Sequence, residues 1–576
     1  MLNGKVLVVF TAVLIGTLGY SHSARAAAVE QQATTRGKRH AITSIQMKEI
    51  EEALREQTRA IQALQEQVQS RDRVIDQLQK RVDALQDTFT TTQQKLDLNA
   101  IQDKQAAKTT QNEVAELKAV TASTANAFPE SQKQIADFEH PTQLRFKGIT
   151  LTPGGFLEAA GVYRTHNENG DVGSTYGNIP FSGTANASLS EFRGSSRQSR
   201  ISLLAEGQVG STKLSGYYEM DFLGAAPTAN EVQSNSFNPR QRQLWAQAEL
   251  SNGWSFVGGQ TWGLLSTNRQ GLAPRQEYLP LTIDSQYVVG LTWTRQWGAR
   301  VTKKLNNQTW IAFALENPET ALSVTHPPAN VFGFTNSPNA TSPGSLLTLN
   351  NTPGATGVST DMAPDLIAKA VFEPGWGHYE VKAVGRFFRD RTNGNNNYTA
   401  GGGFGLAAIL PAHKKIDLVF QGLTGSGIGR YGAGAGPDVT LRPDGSIVPI
   451  HALQALGGAE FHPAPKLDLY AYFGDEYYGR AAYIDSAGKG VGYGSPLNDN
   501  SGCHVEVPKS APCDAQNRNL WQAQPGFWYR FYKGTGGTMQ LGVSYSYTHR
   551  ATWVGMGIEP IGIENTVITS FRYYLP

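Results

Sequence analysis

Residues 200–222 read RISLLAEGQVGSTKLSGYYEMDF, and this stretch decides the fold class. In its second half one set of alternate positions is mainly apolar and the other mainly polar: Leu214, Gly216, Tyr218, Met220 and Phe222 against Lys213, Ser215, Tyr217, Glu219 and Asp221. A period of two places successive side chains on opposite faces of a β-strand. Only Val209-Gly210-Ser211 separates this run from the preceding alternation, which predicts a hairpin with a tight turn.

The same alternation recurs to the end of the chain, for example at Leu541, Val543, Tyr545 and Tyr547. It predicts about sixteen strands of roughly ten residues, the length that a tilted strand needs to cross a bilayer. Short turns are expected to alternate with long polar loops, which include 263–292 and 390–399. Short turns at one end and long loops at the other are typical of bacterial outer-membrane barrels.

A soluble sandwich or propeller would show the same alternation, because its sheets also have one apolar face. The alternating loop lengths favour a membrane barrel instead. So does the last strand, which ends on an apolar face formed by Val567, Thr569, Phe571, Tyr573 and Leu575, although Pro576 follows where such strands usually end on an aromatic residue.

Composition agrees with a wall that has lipid outside and water inside. The chain holds 61 Gly, 24 Phe, 22 Tyr and 10 Trp, whereas only 17% of its residues are charged. A formal net charge of +2 implies no nucleic-acid partner. We therefore predict an all-β transmembrane barrel of about 16 antiparallel strands over residues 144–576, preceded by a long α-helical coiled coil.

The first residues have the pattern of a secretory signal. Lys5 precedes an apolar run from Val6 to Leu18, and Ala24-Arg25-Ala26 supplies the small-x-small cleavage pattern. The run is shorter than the roughly 20 apolar residues of a spanning helix. Residues 1–26 are thus predicted to be a signal peptide and 27–45 a flexible segment.

A seven-residue repeat follows the flexible segment. Its apolar positions are Met47, Leu54, Ile61, Val68, Ile75, Val82, Phe89 and Leu96, with Ile50, Leu64, Leu78 and Leu85 three residues further on. Such a seam specifies a left-handed coiled coil, which needs a partner chain to bury it. We predict a periplasmic coiled coil over 46–128 and a linker over 129–143.

From the sequence we predict that the protein is not an enzyme and that it has no cofactor and no metal site. The eleven His are scattered, and no nucleophile stands in a strand-turn-helix context; a calcium site in a loop stays open. Cys503 and Cys513 lie ten positions apart, which favours a loop disulfide over a two-thiol metal or redox site.

Several segments resemble trimeric outer-membrane porins of the dicarboxylate-uptake type. They are Arg197-Gln198-Ser199-Arg200, then 218–224 (YEMDFLG), 257–262 (VGGQTW, with one Gly more than the family's VGQTW strand) and 295–300 (RQWGAR). The resemblance implies a sixteen-stranded homotrimer with one pore per subunit, held through the coiled coil and the barrel walls. We further predict contact with outer-membrane lipid and lipopolysaccharide, with peptidoglycan as a further candidate partner.

A pore works through its width and the charges at its narrowest point. Strand parity predicts these pore-lining residues: Arg200, Lys213, Glu219, Asp221, Arg300, Lys382, Arg386 and Arg530. They could favour small anions, or each cation could pair with a neighbouring carboxylate and only brace the wall. Arg240, Arg242 and Arg295 have outward parity, so they lie at headgroup level unless a bulge turns them inward. By analogy with other porins, the third long loop would fold into the barrel and narrow it.

These patterns predict an outer-membrane porin, with its coiled coil in the periplasm, for the passive uptake of small hydrophilic solutes. Small anions such as dicarboxylates are one candidate class. The alternative is a structural barrel that tethers the outer membrane to the cell wall through the coiled coil.

Overall fold

The computed structural model describes residues 144–224, 238–327, 347–348, 361–392, 394–506 and 512–576. The predicted signal peptide, flexible segment, coiled coil and linker lie outside the described residues. Within the described part, sixteen long strands pair antiparallel with their neighbours, and the last strand pairs with the first. The prediction of a closed sixteen-stranded barrel is confirmed.

The barrel strands follow one another in chain order. Their bounds are β1 Ile149–Arg164, β2 Arg200–Val209, β3 Thr212–Gly224, β4 Asn238–Glu249, β5 Trp254–Trp262, β6 Arg295–Asn306, β7 Thr309–Glu316, β8 Asp365–Phe372, β9 His378–Thr392, β10 Asn395–His413, β11 Ile416–Ser426, β12 His451–Ala464, β13 Leu467–Tyr478, β14 Asn517–Gly534, β15 Gly537–Thr552 and β16 Ile561–Tyr574. Shorter strands lie outside this series; Leu144–Phe146 and Glu191–Ser195 pair with β1.

The barrel closes along β1, where Phe156–Arg164 pairs with Tyr574–Thr566 of β16. The earlier half of the same strand pairs with β2, from Thr150 opposite Glu206 to Phe156 opposite Arg200. Gly155 lies at the crossing of these two pairings with φ +133°. A Cβ atom there would lie 2.2 Å from the carbonyl oxygen of Arg200, so the wall requires glycine at this point.

The outer wall of the barrel is apolar and exposed. Each of the sixteen strands carries at least one exposed large apolar side chain, among them Leu157, Leu244, Phe313, Phe404 and Phe473. A soluble protein rarely exposes a continuous apolar surface of this extent, whereas a lipid-facing wall consists of one. The soluble all-β alternative is therefore disfavoured.

The inward positions of the same strands are polar and buried. On β15, for example, Ser544, Ser546 and Thr548 alternate with the exposed Tyr545, and Gln522 and Gln524 of β14 face them. Since the apolar side chains point away from the barrel axis, the polar core needs hydrogen-bond partners inside the barrel.

Short turns join the strands at the end where β1 begins and β16 finishes, and most connections at the opposite end are long. The predicted loop over 390–399 is wrong: β9 continues to Thr392 and β10 begins at Asn395, with Gly394 at φ +81° in the turn between them. The Asn-rich composition of this hairpin is that of a loop. Cross-strand pairs such as Asp390 opposite Asn397 nevertheless extend the ladder.

Within the described residues, no helix is both long and apolar enough to span a membrane.

Candidate pore constriction

The third loop (263–294) leaves β5 at Trp262 and folds into the barrel. The backbone N–H of Leu264 donates to Glu316 of β7 at 2.6 Å, and that of Asn268 donates to Glu380 of β9 at 2.7 Å. Further on, Arg269 donates to Glu460 of β12 at 3.0 Å. These carboxylates are buried inside the barrel, and the loop supplies the hydrogen-bond donors that they need there.

The same loop then contacts the opposite side of the wall. Trp528 of β14 donates to the carbonyl of Leu281 at 2.7 Å, and Gln198 donates to the carbonyl of Ile283 at 2.9 Å. The N–H of Val289 donates to Gln522 at 3.1 Å. The third loop thus lies inside the barrel, as the analogy with other porins predicted, and it reduces the space that a solute could use.

Three buried ionic side chains attach the loop to β8 and β9, and we call them the anchor cluster: Lys369, Glu380 and Lys382. Glu380 lies 2.6 Å from the Lys369 ammonium and 3.5 Å from that of Lys382, and all three side chains are fully buried. The two ammoniums also donate to the carbonyls of Ser266 and Leu265, each at 2.7 Å. Lys382, one of the predicted pore-lining residues, therefore holds the third loop in place.

Arg386 makes a similar attachment for the sixth loop (427–450). Its guanidinium contacts Asp365 of β8 at 3.2 Å and Asp438 of the loop at 2.8 Å. Arg300 of β6 donates to the carbonyl of Trp262 at 2.6 Å, at the point where the third loop begins.

Two other predicted pore residues lie near the short-turn end. Lys213 pairs with Glu206 at 2.7 Å and is 54% exposed, and Arg530 pairs with Asp468.

A bulge in β4 settles where Arg240 and Arg242 point. The register of β3 and β4 shifts between Glu219 and Met220, which leaves Arg242 as the extra residue of the wider strand. Arg242 consequently points inward, where its guanidinium contacts Glu219 at 2.6 Å and Asp221 at 2.7 Å. Arg240 also contacts Asp221, at 2.8 Å. This single extra residue reverses the outward direction that strand parity predicted for both arginines.

Arg295 lies at the start of β6 with its guanidinium about equally far from two indole rings, 5.1 Å from that of Trp262 and 5.2 Å from that of Trp293. Its Nη1 is buried without a hydrogen-bond acceptor among the described residues, and the same holds for Nε of Arg200. Arg200 lies over the ring of Phe156.

We call Arg200, Arg240, Arg242 and Arg295 the arginine cluster. Within the described part of the chain it has two carboxylate neighbours, Glu219 and Asp221.

Tyr287 of the third loop reports the electrostatic consequence. Burial alone would raise the pKa of its phenol, but the positive charges of Arg242, Arg200 and Arg295 hold that pKa below its usual value. The constriction beside the arginine cluster is electropositive because four guanidiniums lie there beside two carboxylates.

One carboxylate and histidine cluster has the spacing of a cation site. The described residues bring Asp417, Glu460 and His462 close enough for a cation, with one ligand atom of each within 4.8 Å of the others. Glu460, however, already accepts hydrogen bonds from Arg269, Tyr278 and Tyr472, so its charge is balanced by the protein.

The two cysteines lie in the seventh loop (479–516). The structure joins Cys503 to Cys513 by a disulfide.

The first loop (165–199) contains a buried carboxyl whose ionisation is sensitive to pH. Burial raises the pKa of Glu168 to about 7, although the Arg164 charge opposes the shift. Because the folded pKa exceeds the unfolded value, the folded protein holds this proton more tightly than the unfolded chain does. The resulting stabilisation of the fold is complete below the unfolded pKa and is lost as the pH rises through about 7.

Glu168→Gln should therefore flatten the pH dependence of stability. Between about pH 5 and pH 8 we expect the thermal unfolding midpoint of the natural protein to fall by about 2 °C more than that of the variant. Glu249→Gln, which changes an exposed carboxylate, is the control. Parallel curves for the natural protein and Glu168→Gln would contradict the assignment.

The closed wall and the infolded third loop define a porin-type β-barrel. No protein-family model and no curated protein matches the sequence. Among solved structures the fold is similar to the outer membrane channel DcaP of Acinetobacter baumannii, at TM-score 0.52 and 17% identity over 75% of this chain and 99% of that one. An anion-selective porin from Comamonas acidovorans gives TM-score 0.39 and 11% identity over 74% of this chain and all of its own. OmpF of Salmonella typhi gives 0.39 and 10% over 75% and 100%.

Proposed function

We propose that this protein is an outer-membrane porin, a water-filled channel for the passive uptake of small hydrophilic solutes with a preference for small anions. The observation that carries the proposal is the arginine cluster, which lies inside a lipid-facing barrel beside the third loop. A diffusion pore selects solutes by the charges along its narrowest section. Four guanidiniums beside two carboxylates favour anions there.

The preference has a simple physical origin. An ion in a narrow passage loses part of its hydration, and nearby fixed charges of opposite sign offset that cost. Among the described residues, Arg240 and Arg242 pair with Asp221 and Glu219, whereas Arg200 and Arg295 have no carboxylate at ion-pair distance, so the charges of these two are the least compensated. Two uncompensated positive charges suit a dicarboxylate, the class that the resemblance implies.

The proposed location is the outer membrane, with the predicted coiled coil in the periplasm. Both ends of the barrel lie at its short-turn end, since β1 begins there and β16 finishes there. Short turns face the periplasm in bacterial barrels. The proposed assembly is a homotrimer. The heptad seam at 47–96 needs partner chains but leans towards two strands, and the number three is what the resemblance to trimeric porins implies.

Single-channel recording of the purified full-length protein in a planar bilayer tests this function. We expect conductance in three equal steps, a reversal potential under a KCl gradient that lies towards the chloride equilibrium, and block by a dicarboxylate such as succinate. A folded barrel that stays silent would overturn the proposal and favour the structural tether. An open channel that prefers cations would overturn the anion preference alone.

A further inference from the structure

The third loop is not alone inside the barrel, because part of the first loop also folds inward. We call residues 168–179 the inner segment. The Tyr176 hydroxyl donates to Gln522 of β14 at 3.3 Å, and Arg550 of β15 donates to the carbonyl of Ile179 at 2.7 Å. Both Tyr176 and Ile179 are buried. The inner segment therefore occupies part of the lumen near the long-loop end.

The inner segment lies directly against the third loop. The backbone N–H of Ser174 donates to the Asp284 carboxylate at 3.1 Å, and that of Gln286 donates to the same carboxylate at 2.8 Å. Gly173 lies beside Ser285, and a Cβ atom on Gly173 would be 3.6 Å from the Cβ of Ser285. Asp284 thus joins the two loops through their backbones.

Arg164, at the end of β1, holds the start of the inner segment. Its guanidinium donates to the carbonyls of Asp171 at 2.7 Å and Gly173 at 3.1 Å, and its Nε lies 3.5 Å from the Glu168 carboxyl. Glu168 also accepts the N–H of Thr175 at 2.9 Å. No residue of the inner segment belongs to a strand of the barrel, so the segment can leave its position without unpairing the wall.

Glu168 lies among other ionisable groups. They come from β1, the first loop, the third loop and β16: Arg164, His166, Tyr176, Glu191, Asp284 and Glu564. Burial favours the neutral form of the Glu168 carboxyl. A proton lost from Glu168 adds a buried negative charge where carboxyls already outnumber the arginine. The inner segment is therefore least stable in its present position when Glu168 is ionised.

We propose that the inner segment is a lid on the third loop, closed while Glu168 is protonated and released when Glu168 loses its proton. This inference rests on the proposed porin function. An ionised carboxylate regains its hydration when the lid opens, whereas a neutral acid gains little. The pKa of Glu168 is about 7 in the closed lid and takes its ordinary value in the open one. The closed-to-open ratio should therefore fall about fiftyfold between about pH 5 and about pH 8.

Single-channel conductance of the full-length protein at about pH 5 and about pH 8 tests the lid. The natural protein should show the larger conductance at the higher pH, because the open lid leaves more of the lumen to ions. Glu168→Gln should keep the smaller conductance at both values. Glu249→Gln, at an exposed carboxylate, is the matched control and should behave as the natural protein does. A Glu168→Gln channel with the natural pH dependence would overturn the proposal.

A reversible cross-link tests whether movement is the cause. Gly173→Cys with Ser285→Cys places two Cβ atoms at the separation found in disulfides. The oxidised pair should hold the smaller conductance at about pH 8, and a reductant should restore the larger one. The natural protein with the same reductant controls for its own disulfide between Cys503 and Cys513. An oxidised pair that still responds to pH would contradict the lid.

Spin labels follow the lid without any ion current. Thr175 is an exposed residue of the inner segment, and Tyr398 is exposed on β10. With labels on Thr175→Cys and Tyr398→Cys, double electron–electron resonance should give one distance at about pH 5 and a second one at about pH 8. Added Glu168→Gln should remove the second distance. A silent barrel whose label distance still changes would remove the porin function only, whereas a conducting channel with one distance at both pH values would overturn the lid only.

Discussion

Replacing Arg200 and Arg295 together with glutamine is expected to abolish the anion preference of the channel. A fixed charge about 8 Å from an ion changes its energy by roughly 2 kcal/mol at an effective dielectric constant near 20. Removing two guanidiniums should therefore lower the chloride-to-potassium permeability ratio by about tenfold or more. The remaining Arg240 and Arg242 are bound to Asp221 and Glu219, which leaves little net charge. Reversal potentials under a salt gradient measure this ratio.

Two controls show whether charge at this position is responsible. Arg200→Lys with Arg295→Lys keeps both charges and should retain most of the preference. Lys213→Gln removes one charge at the short-turn end, where Lys213 already pairs with Glu206, and should change the ratio little. If the double glutamine variant kept the natural permeability ratio, the arginine cluster would not be the selective element.

Replacing Glu380 with glutamine is expected to release the third loop from the wall. The substitution leaves the buried ammoniums of Lys369 and Lys382 without their carboxylate, and breaking a buried ion pair on one side costs about 3–5 kcal/mol. Asn268 also loses the carboxylate that accepts its N–H. We expect a lower thermal unfolding midpoint, together with larger and noisier single-channel conductance because the loop no longer keeps one position.

A double variant tests the mechanism of this effect. When Lys369→Met accompanies Glu380→Met, one buried charge of each sign is removed, and the loss should be smaller than for Glu380→Gln alone. Glu249→Gln, at an exposed carboxylate of β4, serves as the control. Quiet, unchanged conductance and an unchanged midpoint in Glu380→Gln would refute the role of the anchor cluster.

The sequence predicted the wall far better than the interior. Alternation of the kind seen at 213–222 shows which face of a strand meets lipid, and a few consecutive residues are enough to recognise it. It failed at 390–399, where polar residues continue the strands beyond the apolar part of the wall. Beyond the lipid-facing part of the wall, a strand needs only backbone hydrogen bonds to its neighbour, so its amino-acid composition no longer identifies it as a strand.

The interior depended on features that no single segment contains. One extra residue in β4 turned Arg240 and Arg242 inward, and a bulge of this kind leaves no pattern in the letters themselves. The anchor cluster joins β8 and β9 to the third loop, which precedes them by about a hundred residues in the chain. Lys382 could be assigned to the inner face by parity, but its binding to Leu265 needed the folded loop.

The pairing of β1 with β16 sets the order in which this protein can be completed. Arg164 pairs with Thr566, about four hundred residues later, so the contact that seals the wall is also the most distant one along the chain. Contacts of such separation form slowly. Until synthesis passes Ile561, the partner edge of β1 does not exist, and a shortened chain would present two unpaired edges to lipid, which no spanning sheet tolerates. A nonsense codon near the end of the gene should therefore be as damaging as one near its beginning.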